Sequence, residues 1–158
     1  MSFDLVALLG LGTSRSISIT LITSTSGQQP VFWDQRVGSN TQLDFIAFLV
    51  TACERRFLKR GDVLVMDNAA VHVASAHHDL FVSLMQAVGF RVITLPTYSP
   101  ELNPCHLVFG HVKNFLSSDA APHLASLPLP RRIEVALGTI KFDLITSWYN
   151  KCRNPKQI

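Results

Sequence analysis

Two apolar runs on either side of a helix-length segment are the feature that most constrains the fold. Val63-Leu64-Val65-Met66 is continuously apolar, as expected for a strand that is buried on both faces. The segment from Ala74 to Val88 is predicted to be a helix, and Phe90 to Leu95 is predicted to return as a second buried strand. A strand–helix–strand unit in one sheet places its two strands parallel. We therefore expect an α/β domain with Asp67 at the carboxyl end of a buried strand.

The rest of the chain supplies further strands and helices. Short runs rich in β-branched and apolar residues predict three strands before the parallel unit, at Leu5 to Leu11, Ser16 to Thr23 and Pro30 to Val37. Helical spacing of apolar residues and capping residues predict three further helices: one capped by Asn40, one that begins at Asn103-Pro104 and reaches about Leu116, and one from Ile133 to about Cys152.

Composition limits the class of protein. A length of 158 residues suits one domain, and 47% hydrophobic with 16% charged residues describes a folded chain. The net charge of +3 permits contact with nucleic acid, but the basic residues form no run that resembles a separate DNA-binding arm. Cys53, Cys105 and Cys152 are odd in number and lack C-x-x-C spacing, which favours a reducing compartment over a disulfide framework. No apolar run approaches the roughly 18 residues that a membrane span needs.

Two motifs carry the functional information. Met66-Asp67-Asn68-Ala69-Ala70-Val71-His72 is followed by Leu95-Pro96-Thr97-Tyr98-Ser99-Pro100-Glu101-Leu102-Asn103-Pro104. Together they resemble the catalytic signature of the mariner-type DDE transposases, which reads strand-D-N-x-x-x-H and then L-P-x-Y-S-P-x-L-N-P-x-E. The resemblance extends to Gly38-Ser39-Asn40 and to the segment 148–152, so residues 1–158 are expected to form one DDE transposase-like domain.

This resemblance implies an RNase H-like mixed sheet flanked by helices. It also implies a DDE superfamily endonuclease derived from a transposable element, with DNA binding, DNA transposition and DNA integration as the ancestral activity. Metal-dependent cleavage and strand transfer by that family require carboxylates that converge on Mg²⁺ or Mn²⁺. The implied catalytic and metal-binding residue here is Asp67, and the implied partner is DNA at the transposon ends.

The third acidic position of the motif is occupied by His106. An imidazole is neither an anion nor a preferred magnesium ligand, although neutral histidine can bind softer ions. The family's first catalytic Asp lies on a first strand upstream of the hairpin with which this chain begins, so we expect that strand to be missing. Asp4 is the only nearby acidic residue and is not expected to replace it. We therefore expect cleavage to be lost.

Two further residues are weaker candidates for contact with nucleic acid. His72 matches the histidine of the D-N-x-x-x-H pattern, and the alternative is a helix-entry histidine bonded to the backbone. Lys113 lies beyond His106 and can meet a phosphate, and the alternative is a solvated helix residue.

Three functions fit these residues. The first is a degenerate DDE transposase domain, the second a non-catalytic module that binds nucleic acid or protein, and the third a transposon relic without a selected function. The resemblance allows a homodimer and gives no role at a membrane. It predicts an intracellular location, nuclear in a eukaryote and otherwise cytoplasmic.

Overall fold

A five-stranded mixed sheet forms the centre of the molecule. The computed structural model describes residues 3–11, 17–67, 77–96, 99–118 and 124–154, and for residues 3–11 it describes the backbone. The strands are β1 (Phe3–Leu11), β2 (Ile17–Thr23), β3 (Val31–Val37), β4 (Val63–Met66) and β5 (Arg91–Thr94), and their order in the sheet is β3-β2-β1-β4-β5. The helices are α1 (Gln42–Glu54), α2 (His78–Val88), α3 (Pro104–Ser117), α4 (Leu129–Gly138) and α5 (Phe142–Arg153).

The interior position of the sheet is occupied by β1. This strand pairs antiparallel with β2, from Leu5 opposite Thr23 to Leu11 opposite Ile17, and parallel with β4, from Phe3 beside Val63 to Val6 beside Met66. The expectation that the sheet lacks its interior strand is therefore wrong. Occupation of this slot satisfies backbone groups on both neighbouring strands that would otherwise lie buried without partners.

Side chains of the sheet alternate between two apolar cores. Ile19 and Leu21 on β2, with Val63 and Val65 on β4, pack in one core with helices α3, α4 and α5. Leu64, with residues of α1 and α2, belongs to the second core on the opposite face. This alternation is the period of two expected for a strand covered on both faces.

The parallel unit is confirmed, but its second strand is not buried. β4 and β5 run parallel, and α2 ends at Gly89 in the left-handed conformation. β5 is an edge strand on which Val92 alone is half-buried, and Ile93 is 52% exposed. The prediction of a buried second strand is therefore wrong, because an apolar run does not reveal whether its outer side is covered.

Helix boundaries also differ from the predictions, and α2 begins at His78 with His77 as its N-cap instead of at Ala74. The N-cap of α1 is Thr41, whose side chain accepts a hydrogen bond from the backbone N–H of Asp44 in a capping box. Asn40 instead donates to the hydroxyl of Thr20 at 2.7 Å. The single final helix is interrupted because the Thr139 hydroxyl and backbone N–H both bond to the carbonyl of Ala136, which ends α4 before α5 begins.

Candidate functional site

Asp67 follows the last residue of β4, at the carboxyl edge of the parallel strands. Val63 and Val65 lie in the core under α3 and α5, so the alternation of the strand places position 67 towards the same helices. Asp67 is half-buried. The crevice outside the carboxyl ends of parallel strands is where open α/β sheets bind ligands.

The second motif begins beside the first. The backbone N–H of Leu95 donates to the carbonyl of Met66 at 2.8 Å, which continues the pairing of β4 and β5 by one residue. Leu95 and Pro104, from the two ends of that motif, line a cavity of about 350 Å³ together with Val65. The fold therefore brings the two halves of the sequence signature to one edge of the sheet.

The start of α3 is built by the Asn103-Pro104 pair, as predicted. The side-chain oxygen of Asn103 accepts a hydrogen bond from the N–H of Cys105 at 2.9 Å, and Pro104 occupies the first helical turn, where its missing N–H has no consequence. Asn103 is 1% exposed, and its amide nitrogen has no hydrogen-bond partner within the described ranges. This buried cap fixes the position from which His106 projects.

Cys105 is the residue at this edge that the sequence patterns missed. Its sulfur is fully buried and lies 3.8 Å from the Thr23 hydroxyl. Burial raises the pKa of the Cys105 thiol far above its ordinary range, and the negative charge of Asp67 raises it further. The thiol is therefore a neutral packing group beneath the candidate site. The sequence signal that could have identified Cys105 is a small apolar residue directly after an N-cap residue and a proline.

Two of the other candidate residues, His106 and Lys113, lie on α3. His106 is exposed in the first turn of α3. Lys113 is also exposed, seven residues or about two turns further along the same helix, so the two project from similar directions about 10 Å apart along its axis. His72 lies outside the described residues, and no position is assigned to it.

The register of β1 identifies the residue beside Asp67. Val6 pairs with Met66, the last residue of β4, so Ala7 is the residue of β1 at the level of Asp67 if the register continues by one residue. Asp4 pairs with Leu64, three residues before the level of Asp67 and hence about 10 Å away along the strand. Neither position of β1 therefore adds a carboxylate at the carboxyl edge.

The donor set at this edge does not fit a two-metal centre. Such a centre needs several carboxylates that converge on two ions about 4 Å apart. Within the described residues, no group of three His, Cys, Asp or Glu side chains is arranged to hold a metal ion. Asp67 is the one carboxylate that the two strands present at the edge, and the matching position on α3 is His106.

The comparison with protein families agrees with this fold. The sequence matches the DDE superfamily endonuclease family over residues 11–127, about three-quarters of the chain, and the chain belongs to that family. No curated protein matches the sequence. The resemblance of the two motifs to the DDE family is therefore confirmed at the level of the family.

Solved structures show the same fold at low sequence identity. The Mos1 transposase catalytic domain, in a structure with raltegravir and Mn, has a TM-score of 0.64 at 12% identity, over 96% of this chain and 80% of that one. The catalytic core domain of BIV integrase has a TM-score of 0.56 at 14% identity, over 99% and 98%. A simian T-cell lymphotropic virus intasome in complex with a PP2A regulatory subunit contains a chain with a TM-score of 0.65 at 19% identity. This chain spans about half of that one, since the match covers 87% and 47% of the two.

These similarities confirm the RNase H-like α/β fold. The chain is a DDE-superfamily endonuclease domain by family, and its fold is similar to the folds of transposase and integrase catalytic domains. Within the described part of the chain, no helix has both the length and the apolar character required to cross a bilayer.

Proposed function

We propose that this chain is a DDE-family domain that binds DNA without two-metal cleavage. The observation that carries the proposal is the set of residues at the carboxyl edge: Asp67 follows β4, Ala7 follows the last residue of β1 that pairs with β4, and His106 occupies the motif's third acidic position on α3. Alanine supplies no ligand atom, and imidazole is a poor substitute for a carboxylate toward Mg²⁺ or Mn²⁺. One carboxylate does not position and neutralise two ions, so we assign no cleavage step to these residues.

DNA as the partner is supported by the family and by charge. The family is described as an endonuclease, and a related Mos1 mariner structure is a paired end complex with Mn. The chain has a net charge of +3, which favours a polyanion without selecting a sequence. On this proposal Lys113 and His72 contact DNA, and Asp67 is the remaining hard ligand of the ancestral metal site. The protein acts inside the cell, and the resemblance to the family allows a homodimer.

The proposal is tested with the purified full chain, supercoiled plasmid and a labelled 20-base-pair duplex. We expect no nicking above background with Mg²⁺ or Mn²⁺, together with salt-sensitive binding of the duplex. Nicking that disappears in Asp67→Ala would show an active metal site and overturn the first half of the proposal. Absence of duplex binding at low salt would overturn the second half and favour the protein-binding module or the transposon relic.

A further inference from the structure

A cationic pocket lies at the opposite edge of the sheet from Asp67. It has a volume of about 500 Å³ and is bounded by the end of α1, the loop between β2 and β3, and the start of β4. β4 is four residues long and separates this pocket from Asp67 by about 13 Å or more. The two sites are therefore distinct surfaces of one domain.

Four cations surround this pocket. They all follow α1 within six residues, and all are exposed: Arg55, Arg56, Lys59 and Arg60. Within the described residues, none of the four forms a salt bridge. The one carboxylate in the lining, that of Asp62, accepts a hydrogen bond from the backbone N–H of Lys59 at 2.8 Å. The pocket therefore has an excess of positive charge that is available to a ligand.

The helix dipole does not account for all four cations. A cation stabilises a helix C-terminus chiefly when it lies in the last turn. The last turn of α1 contains no basic residue, and the cations begin at its C-cap, Arg55. Lys59 and Arg60 lie four and five residues beyond that cap, so the dipole gives no reason for their presence.

Arg56 has a backbone conformation that residues with side chains rarely adopt. Its φ is 58°, and it is the only residue other than glycine with a positive φ among those described. The turn is closed by hydrogen bonds from the N–H groups of Phe57 and Leu58 to the carbonyl of Ala52. This is the position after a helix at which glycine is usually found, so an arginine there sacrifices some stability. Strain that persists at a charged, exposed residue indicates a role for its side chain.

Arg60 is placed by a neighbouring glycine. A Cβ atom added to Gly89 would lie 3.3 Å from both Cγ and Nε of Arg60, so the arginine side chain lies across the bare backbone of Gly89. The N–H of Gly61 also donates to the carbonyl of Gly89 at 2.8 Å, which fixes the two turns together. The Arg60 side chain is therefore partly ordered before any ligand arrives.

Polar loop residues also line the pocket. Ser26, Gln28 and Gln29 from the loop between β2 and β3 border the same cavity as the four cations. Arginine, lysine, serine and glutamine side chains are common donors to phosphate oxygens in complexes with nucleic acid. The half-buried ring of Phe57 forms part of the same lining.

From this arrangement we infer that the pocket binds the phosphodiester backbone of DNA, away from the carboxyl edge. Arginines and a lysine around one concave site match a row of phosphates, and contacts of this kind position DNA without reading its sequence. The inference depends on the proposed DNA binding and adds a second contact surface to the one that contains Lys113. It requires no metal ion and no cleavage.

The test compares two triple variants of the full chain that remove the same charge. The pocket variant is Arg55→Gln, Arg56→Gln and Arg60→Gln. The control is Arg131→Gln, Lys141→Gln and Lys151→Gln, which removes three exposed cations on α4, at the N-cap of α5 and on α5. Binding of a labelled 20-base-pair duplex is measured by fluorescence anisotropy from 50 to 200 mM salt. We expect at least a tenfold loss for the pocket variant, with a salt slope lower by about 2 to 3, and less than a threefold loss for the control.

Arg56→Gly separates binding from folding. Glycine relieves the positive φ, so the melting temperature should stay equal or rise while DNA affinity falls at least twofold. Retained affinity in Arg56→Gly and in the pocket variant would overturn the inference, as would equal losses in the two triple variants. A wild-type chain that binds no duplex would instead refute the proposed function on which the inference depends.

Two competitors identify the ligand. We expect inorganic pyrophosphate to displace the duplex only at millimolar concentration, because it offers two phosphates instead of a continuous row. Displacement at micromolar pyrophosphate would show a site for small phosphates, and displacement by polyglutamate as strongly as by unlabelled duplex would show a site for acidic proteins. Either result would overturn the assignment to DNA.

Discussion

The phenol of Tyr149 donates a hydrogen bond to the backbone carbonyl of Thr23 at 2.9 Å, and its oxygen lies 3.0 Å from the Thr23 hydroxyl. Thr23 ends β2 and is fully buried, whereas Tyr149 lies on α5 near the end of the chain. The same Thr23 hydroxyl approaches the sulfur of Cys105. One threonine thus connects the sheet, α3 and α5 beneath the carboxyl edge.

The first prediction concerns this connection. Tyr149→Phe removes the donor and leaves the buried carbonyl of Thr23 without that bond, so it should lower the free energy of unfolding by about 1 to 2 kcal/mol in urea denaturation. The control is Thr51→Val, which removes an exposed hydroxyl that bonds within α1 and should change stability by less than about 0.5 kcal/mol. Equal losses of unfolding free energy in the two variants would show that the hydrogen bond to Thr23 stabilises the fold no more than the exposed bond of Thr51.

Local chemistry made much of the fold predictable. Continuous apolar residues identified β4, and Asn103-Pro104 marked the start of α3, because each signal acts within a few residues of the feature that it sets. The position of Asp67 at the end of β4 followed from the same reasoning. The DDE family was confirmed by the match over residues 11–127.

The pairing of strands across the sheet was harder to predict from the sequence. The interior place of β1 depends on contacts with β2 and β4, and the exposure of β5 depends on what lies beside it, neither of which a local pattern encodes. The cationic pocket was missed for a related reason. Arg55 and Arg56 belong to no sequence motif, and the loop between β2 and β3 that completes the pocket is distant from them in sequence.

The second prediction concerns the missing metal ligands. His106→Glu restores an oxygen donor on α3, and Ala7→Asp adds one beside Asp67 on β1, so the double variant should bind Mn²⁺ at least tenfold more tightly than the wild-type chain. His106→Glu alone should give a smaller gain. Isothermal titration calorimetry measures both affinities. The control is Ala7→Asp with His106→Glu and Asp67→Asn, in which the gain should disappear.

Equal Mn²⁺ affinity in the wild-type chain and the double variant would show that positions 7, 67 and 106 do not converge. That result would contradict the register argument for Ala7 while leaving the family assignment intact.

The third prediction concerns Cys105 and pH. Burial raises the pKa of this thiol above the 9.0 of an exposed cysteine, so the folded state retains the proton to higher pH than the unfolded state does. The thiol's contribution to stability is therefore complete below pH 9 and decreases as pH rises above 9. For one proton the slope approaches about 1.4 kcal/mol per pH unit.

Urea denaturation between pH 8 and pH 10.5 measures this slope. Cys105→Ala should be less stable at pH 8 because it leaves a cavity, yet its stability should fall less steeply above pH 9 than that of the wild-type chain. The comparison cancels the titration of Cys53 and Cys152, whose pKa values burial also raises. If the stabilities of the two proteins fell equally with pH, Cys105 would ionise at the same pH in the folded and the unfolded state.

The fourth prediction concerns Gly89 and tests the placement of Arg60 independently of charge. Gly89 has a φ of 85°, and Gly89→Ala would both strain the backbone and push against Arg60 at 3.3 Å, so we expect a loss of about 1 to 2 kcal/mol in the free energy of unfolding. Gly138→Ala is the matched control, because Gly138 is the last residue of α4 and a Cβ there meets no atom within 4 Å. It should be neutral or stabilising by a few tenths of a kcal/mol.

At a temperature where both variants are fully folded, Gly89→Ala should also weaken duplex binding at least twofold, because Arg60 can no longer lie across residue 89. Unchanged affinity in a folded but destabilised Gly89→Ala protein would show that the placement of Arg60 does not matter for DNA.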